Sequence, residues 1–336
     1  MKRFITGSIM ILSAAACNDS TSPRPIGSSA ASRDVAEAMQ PNAASTNLYA
    51  VVNISGGLIS GNRVTSVSKL GTGTYEVTFN TNVSACAYIA TTTNAYSQAL
   101  GIFTAGGHLS ANGVYVETKN QGGGLTDGPF HLWVACGGTG INYAVVGYSA
   151  NMVRSSAGTT MTFLGLGRYN IRFASAVNNC GFLATVGDPG SALVFSPSGV
   201  YTANGSDANS VYIETKNPGG GLQDGVPFHL VAICPGAPKT GFVIVRSNGT
   251  PARGAPIGGS TARTSLGNYT ITSPFNILRC AKVATRGSEN TGVPFNPTTV
   301  EMVNGTTVNN VGIQVRALLF FGGNFFDETF HAAIIC

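Results

Sequence analysis

Around position 75 the chain alternates between apolar and polar residues. Tyr75, Val77 and Phe79 take one set of positions, and Glu76, Thr78 and Asn80 take the other. A period of two puts each set on its own face of a pleated strand, so this stretch predicts a half-buried β-strand with Glu76 outward. The strand "GTGTYEVTF" returns as "GLGRYNIRF" and "SLGNYTITS". Three further landmarks keep their order around it. "YAVV" at Tyr49, "YAVV" at Tyr143 and "FVIV" at Phe242 precede it. "CAYIAT", "CGFLAT" and "CAKVAT" come after it, and "FHLWVAC", "FHLVAIC" and "FHAAIIC" close each series. Four ordered landmarks, three times over, define a unit of roughly ninety residues in tandem. The expected spans are 48–136, 143–234 and 241–336. The third copy diverges, carrying "QVRALLFFGGNFFDETFH" where the others carry "ETKN" and a glycine triplet. Gly, Asn, Asp and Ser clusters separate the strands, so the fold class is all-β. Each unit reads as a small antiparallel β-sandwich, jelly-roll or immunoglobulin-like, able to close its own core.

The last strand of each unit is apolar on both faces near its Cys. Phe130, Leu132 and Val134 oppose His131, Trp133 and Ala135. The faces are Phe228, Leu230, Ala232 against His229, Val231, Ile233 in the second copy, and Phe330, Ala332, Ile334 against His331, Ala333, Ile335 in the third. Such a strand is covered on both sides, once by its own second sheet and once by a neighbouring unit. The linkers "GGTGIN" and "PGAPKTG" are short. An even strand count per unit lets three units cluster about an axis, and an odd count favours a linear string.

The N-terminus departs from this pattern. Lys2 and Arg3 precede an apolar stretch from Phe4 to Ala16, and small residues lead up to Cys17. This reads as a signal peptide over 1–16, with an apolar run too short to span a bilayer. Cleavage after Ala16 by an ordinary signal peptidase is one outcome. The other comes from "LSAAAC", which resembles a bacterial lipobox in which Cys17 is lipidated. There are seven cysteines, and lipidating Cys17 leaves six that fall into three equivalent pairs. The expected bonds are Cys86–Cys136, Cys180–Cys234 and Cys280–Cys336. Residues 17–47 are rich in Ser, Pro and Asn and read as a flexible tether. The protein is thus expected to be exported and held to a bacterial membrane by its lipid, in the periplasm or at the surface.

Composition narrows the function. Charged residues are only 10% and the formal net charge is +5, with Lys2 and Arg3 inside the leader. No basic stripe marks a nucleic-acid surface, and no motif calls for a cofactor. The glycine triplet leads from strand to strand and not into a helix. It therefore reads as a hairpin loop in place of a phosphate cradle. Asp127 precedes His131, Asp224 precedes His229 and Asp327 precedes His331. An Asp–His pair is two-thirds of a hydrolytic triad, but no nucleophile elbow accompanies it, and the chain is not expected to be an enzyme. The plainer reading is a turn-closing Asp and a strand His bonded to a neighbour. If the units cluster, His131, His229 and His331 become a polar seam or a three-imidazole metal site. Glu117 with Asp127, and Glu214 with Asp224, offer two carboxylates per hairpin for Ca²⁺, fewer oxygens than that ion takes. His108 in "GGHLS" reads as an exposed turn residue. Sequons at Asn204 and Asn248 carry no weight beside a bacterial lipobox.

The run "GTGTYEVTFNTNVSACAYIATT", with the later "ANGVYVETKN" and "DGPFHL", resembles repeats of exported bacterial proteins. Its G-x-Y-x-V-x-F strand also looks like one in phage tail-fibre heads and in trimeric jelly-roll heads of the complement and tumour-necrosis-factor type. Neither resemblance implies a catalytic residue. The function expected on these grounds is that of a three-unit head that binds or adheres to an extracellular glycan, polymer or protein. The alternatives are a structural envelope component and a hydrolase using an Asp–His pair.

Overall fold

The computed structural model describes residues 47–93, 100–120, 122–190, 198–255, 260–291, 298–303, 312–319 and 325–336. The expected signal peptide, Cys17 and tether residues 17–46 lie outside them. Asn47, assigned to the tether from sequence, is buried, and its Nδ2 donates to the carbonyls of Pro238 and Lys239 at 3.3 Å each. The chain is therefore fastened one residue before the first strand.

The regular structure among the described residues is entirely β-strand. The first eight strands are β1 (Leu48–Val52), β2 (Leu58–Asn62), β3 (Val64–Gly71), β4 (Thr74–Phe79), β5 (Ala87–Thr92), β6 (Gly101–Gly106), β7 (Gly113–Lys119) and β8 (Phe130–Ala135). A second group continues as β9 (Ile141–Val146), β10 (Met152–Ser155), β11 (Thr160–Gly165), β12 (Arg168–Arg172), β13 (Gly181–Asp188), β14 (Gly199–Asn204), β15 (Ser210–Lys216) and β16 (Phe228–Ile233). The third comprises β17 (Thr240–Val245), β18 (Pro251–Ala255), β19 (Thr261–Ser265), β20 (Asn268–Thr272), β21 (Ala281–Arg286), β22 (Thr298–Val303), β23 (Gly312–Leu319) and β24 (Phe330–Ile335).

Each group pairs its strands in the same order. The inner sheets run β2-β1-β8-β5, β10-β9-β16-β13 and β18-β17-β24-β21. The outer set runs β3-β4-β7-β6 in the first group, β11-β12-β15-β14 in the second and β19-β20-β23-β22 in the third. Two parallel pairs at the tip of β13, Gly187 with Thr104 and Asp188 with Ala105, splice the second inner sheet to the first outer one. Alternation along the strands fills the space between the two sheets of a group. Tyr75, Val77 and Phe79 meet Val114, Val116, Phe130 and Leu132 in one apolar cluster. Equivalent clusters fill the second and third groups.

The opposite faces of the inner sheets make a fourth cluster shared by all three groups. Trp133, Val231 and Ala333 lie in it, with Ile89, Leu183 and Val283. This is the second cover that the doubly apolar last strands require, because a strand that is apolar on both faces must be buried on both. Among the described residues each group has eight strands, an even count, and the three close into a ring.

One alternation fails locally. Glu76 is 1% exposed and not solvent-facing. Its carboxylate lies against Gly113, where an added Cβ would stand 2.0 Å from Oε1. His108 contacts the other oxygen at 3.3 Å and packs its ring, tilted, against Tyr115 at 4.4 Å between centroids. His108 is thus engaged and not a free turn residue, and burial raises the Glu76 pKa above the ordinary carboxylate range.

Three disulfides, Cys86–Cys136, Cys180–Cys234 and Cys280–Cys336, span 50, 54 and 56 residues of sequence. Each clamps one end of a ladder: Ala87 pairs with Ala135, Gly181 with Ile233, and Ala281 with Ile335. Loops of this length stabilise by about 4 kcal/mol in the chain-entropy model. Replacing Cys180 and Cys234 together by Ser is expected to lower stability by roughly 2–5 kcal/mol, read as a shifted urea midpoint. Because the groups share a core, the loss should move one common transition and not split off a separate one.

Candidate functional site

The repeated stretch builds two local devices. After β7 the chain turns at Asn120, whose Oδ1 accepts from Gly122 N and Gly124 N at 3.0 Å each. Gly123 there takes φ +82°, a conformation that L side chains rarely adopt. The second copy turns in the same way at Asn217, whose Oδ1 accepts from Gly221 N at 3.1 Å. The triplet is a hairpin closed by an Asn, with no helix behind it.

The Asp that comes next reaches a different hairpin. Asp127 Oδ1 accepts from Gly73 N at 2.7 Å, and Oδ2 takes Lys69 Nζ at 2.6 Å. Asp224 accepts from Gly167 N, and Asp327 from Gly267 N at 2.9 Å with Arg263 Nε at 2.7 Å. Lys69, then the Gly73 amide, holds the Asp127 pKa below its ordinary value. Side chains are excluded at Gly73, because a Cβ would lie 2.5 Å from the Thr118 carbonyl. The Asp residues thus pin the β3–β4, β11–β12 and β19–β20 turns onto the sheet.

The histidines look the other way, across the joints between groups. His131 Nδ1 accepts from Lys282 N at 2.7 Å, His229 Nδ1 from Tyr88 N at 3.0 Å, and His331 Nδ1 from Phe182 N at 2.8 Å. Each is paired in register with a threonine: Thr91, Thr185 and Thr285. Those hydroxyls accept from Ala284 N at 2.9 Å, Ala90 N at 2.9 Å and Ala184 N at 2.8 Å. They donate back to the carbonyls of the same three alanines. The first group serves the third, the second serves the first, and the third serves the second. β5, β13 and β21 are the outermost strands of their inner sheets, and an open edge leaves backbone donors that must be satisfied. A Thr–His pair from the next group satisfies them. The two amides served lie two residues apart on one strand, so the hydroxyl and the ring act as a short substitute for a neighbouring strand.

A ring that accepts through Nδ1 carries its proton on Nε2. His229 Nε2 accordingly meets the Asp188 carbonyl at 3.3 Å. Burial, aided by Arg154 and Arg253, lowers His229 and His331 to about 3, and burial with Lys282 lowers His131 well below its ordinary value. A base this weak is poorly matched to proton abstraction near neutrality. The Asp carboxylates and the His rings have separate partners, so the sequence-adjacent Asp and His form no dyad. Nor do the three rings meet on one ion. Each stands at its own joint, and no cluster of three His, Cys, Asp or Glu among the described residues is placed to hold a metal. Glu117 is bonded to Lys119 at 2.7 Å and to the Tyr115 hydroxyl at 3.0 Å, and Glu214 to Lys216 at 2.9 Å and Tyr212 at 3.0 Å. Asp127 and Asp224 lie at their turns, so the carboxylates suggested for Ca²⁺ are not brought together.

Two elements escaped the sequence reading. The Tyr-x-Glu-x-Lys spacing at 115–119 and 212–216 lines one strand face, which makes it an ion-pair ladder. The threonines were visible only as the repeated end of "CAYIAT", "CGFLAT" and "CAKVAT". No family model matches this chain, and neither a curated protein nor a solved structure does.

The depressed histidines set a pH dependence. The unfolded chain takes up protons on His229 and His331 from about pH 6.5 downward, and the folded one does so only near pH 3. Stability is therefore full above about pH 6.5 and falls as pH drops toward 3, by about 1.4 kcal/mol per pH unit for each ring. Urea midpoints between pH 7 and 4 should show this, with a slope one ring shallower in His229→Gln. His229→Ala, which orphans Tyr88 N–H and leaves a cavity, should lose about 3–5 kcal/mol at pH 7.

Proposed function

We propose that the protein is an exported lipoprotein whose three jelly-roll sandwiches form a single head that binds an extracellular glycan or similar uncharged polymer. Three disulfides fit an oxidising, extracytoplasmic compartment. No helix among the described residues is long and apolar enough to cross a membrane. The strand order supports the jelly-roll assignment. It pairs the first strand of each group with the last, and places them opposite the sheet that holds the second-to-last.

One observation carries the binding role. The repeated Asp, Glu, Lys and His side chains are spent on turns, ladders and joints, and the outer sheet of the second group carries an open groove. It encloses about 370 Å³ and is lined by Thr162, Leu164, Asn170, Asn204, Ser206 and Tyr212, with Thr291 of the third group at its rim. Beside it the edge strand β11 and its turn expose Phe163, Leu164 and Leu166. Amides, hydroxyls and a phenol next to apolar side chains, with no carboxylate in the lining, suit a neutral ligand rich in hydroxyl groups.

A glycan array and titration calorimetry test this. Binding should weaken at least tenfold in Asn170→Ala/Tyr212→Ala and should be indifferent to salt. Unchanged affinity in that variant removes the groove from the reading. The anchor is tested separately. Cys17→Ser, at a position outside the described residues, should lose the mass of the lipid and move from membrane to soluble fractions.

A further inference from the structure

The outer sheets of the first and second groups align residue by residue through their register. Ser68, Glu76 and Tyr115 stand abreast in the first, and Thr162, Asn170 and Tyr212 in the second. Both tyrosines are held by the same device, a hydroxyl that donates at 3.0 Å to the glutamate two residues on. In the second group this row lines the groove, and Asn170 and Tyr212 are half-buried. In the first group the row is sealed, with Glu76 1% and Tyr115 5% exposed.

The difference lies in one turn. Five residues, 205–209, join β14 to β15, and the second of them, Ser206, accepts from Asn170 Nδ2 at 3.5 Å. Six residues, 107–112, join β6 to β7, and the second of them is His108. Its ring lies against Tyr115 and brings Nδ1 to 3.3 Å from Glu76 Oε2. An imidazole thus occupies, in the first group, the place that a small hydroxyl leaves open in the second.

Little holds this ring in place. Its side chain is 29% exposed, so it can swing out from the turn without disturbing the sheet. Burial raises the Glu76 pKa, and the His108 ring and the Leu109 amide temper that rise, but neither completes a hydrogen bond to the carboxylate. A buried carboxylate in this condition has given up its hydration without compensation. When ionised it only accepts, so the groups that would satisfy it are donors. A sugar residue brings hydroxyl donors on its edge and an apolar face for an aromatic ring.

We infer that the first group holds a second copy of the groove, kept shut by the His108 ring. A sugar residue enters it by displacing that ring, packing on Tyr115 and donating hydroxyls to Glu76. The sugar rests on the reading of the second group's groove, whereas the plug does not.

The test uses the full-length protein with ring-labelled tyrosine, titrated with D-glucose, beside His108→Ser, which installs the residue of the second group. In the native protein the Tyr212 resonances should shift first and those of Tyr115 only at higher sugar. In His108→Ser the Kd read at Tyr115 should fall by roughly tenfold or more, because no closed fraction remains to weaken it. A Tyr212 response with no gain at Tyr115 in the folded variant overturns this inference and leaves the open groove standing. No response at either tyrosine in either protein removes the sugar from both sites. Nitration with tetranitromethane reads the plug without any sugar. Tyr115 should be protected in the native protein and react in His108→Ser, and equal protection in both overturns the plug. Should that variant not fold, Glu76→Asn/His108→Ser, the complete pair of the second group, takes its place.

Discussion

The open edge of an inner sheet is the constraint on which this architecture rests. Within their own group, β5, β13 and β21 each pair on one side only, with the last strand. Their other side presents amide donors to a buried joint where water does not reach. Tyr88 N and Ala90 N, Phe182 N and Ala184 N, and Lys282 N and Ala284 N all find a His or a Thr of another group. Because each edge needs a neighbour and each group supplies one, the arrangement closes on itself in three steps. The apolar hub of Trp133, Leu183 and Val283 then packs inside the ring. Neutral imidazole is a condition of this design, since a protonated ring has no acceptor to offer.

Much of this was legible along the chain. The period-two strands, the cysteine ladders and the Asn–Gly turn obey local rules, and local rules operate within a few residues. The doubly apolar last strand correctly announced a second cover. What sequence did not disclose is which residues meet there. His131 and Lys282 are 151 residues apart, and Thr91 and Ala284 are 193 apart. No local pattern encodes such a pairing, and Thr91 looks like any strand threonine. Glu76 misled for a similar reason. Its alternation with Tyr75 and Val77 is real, but the face it points to is closed by His108 from another hairpin. Asp127 was rightly read as a turn residue, although the turn it serves begins 54 residues earlier.

The three joints share a plan and differ in chemistry. Arg154 lies over Tyr88 at 5.4 Å and Arg253 over Phe182 at 5.5 Å, and both donate through Nε to a cysteine carbonyl of the preceding group. At the third joint the pattern changes: Ser60 donates to the Arg279 carbonyl, and Lys282 stands where the aromatic residues stood. An arginine in place of Ser60 would bring two cations together. A second set differs as well, with Glu301 accepting from Thr92 where the second group sets Phe103 beside Val186 in one apolar cluster. The groups are not interchangeable, and an order of closure other than the observed one would set like charges face to face.

That ring also fixes when the molecule is finished. A string of independent modules can fold from its first residue onward, each bead complete as soon as its own strands exist. Here the first group serves amides of β21, and its own β5 edge waits for the second, so no group is whole until residues beyond Lys282 have been made. Even the entry to the first strand is held by Pro238 and Lys239. Early segments therefore persist with open edges and unburied apolar faces while the remainder is synthesised, the circumstance in which nascent chains are exposed to mispairing and benefit from being kept unfolded. Once Cys336 joins Cys280, the last strand is locked to the strand beside it.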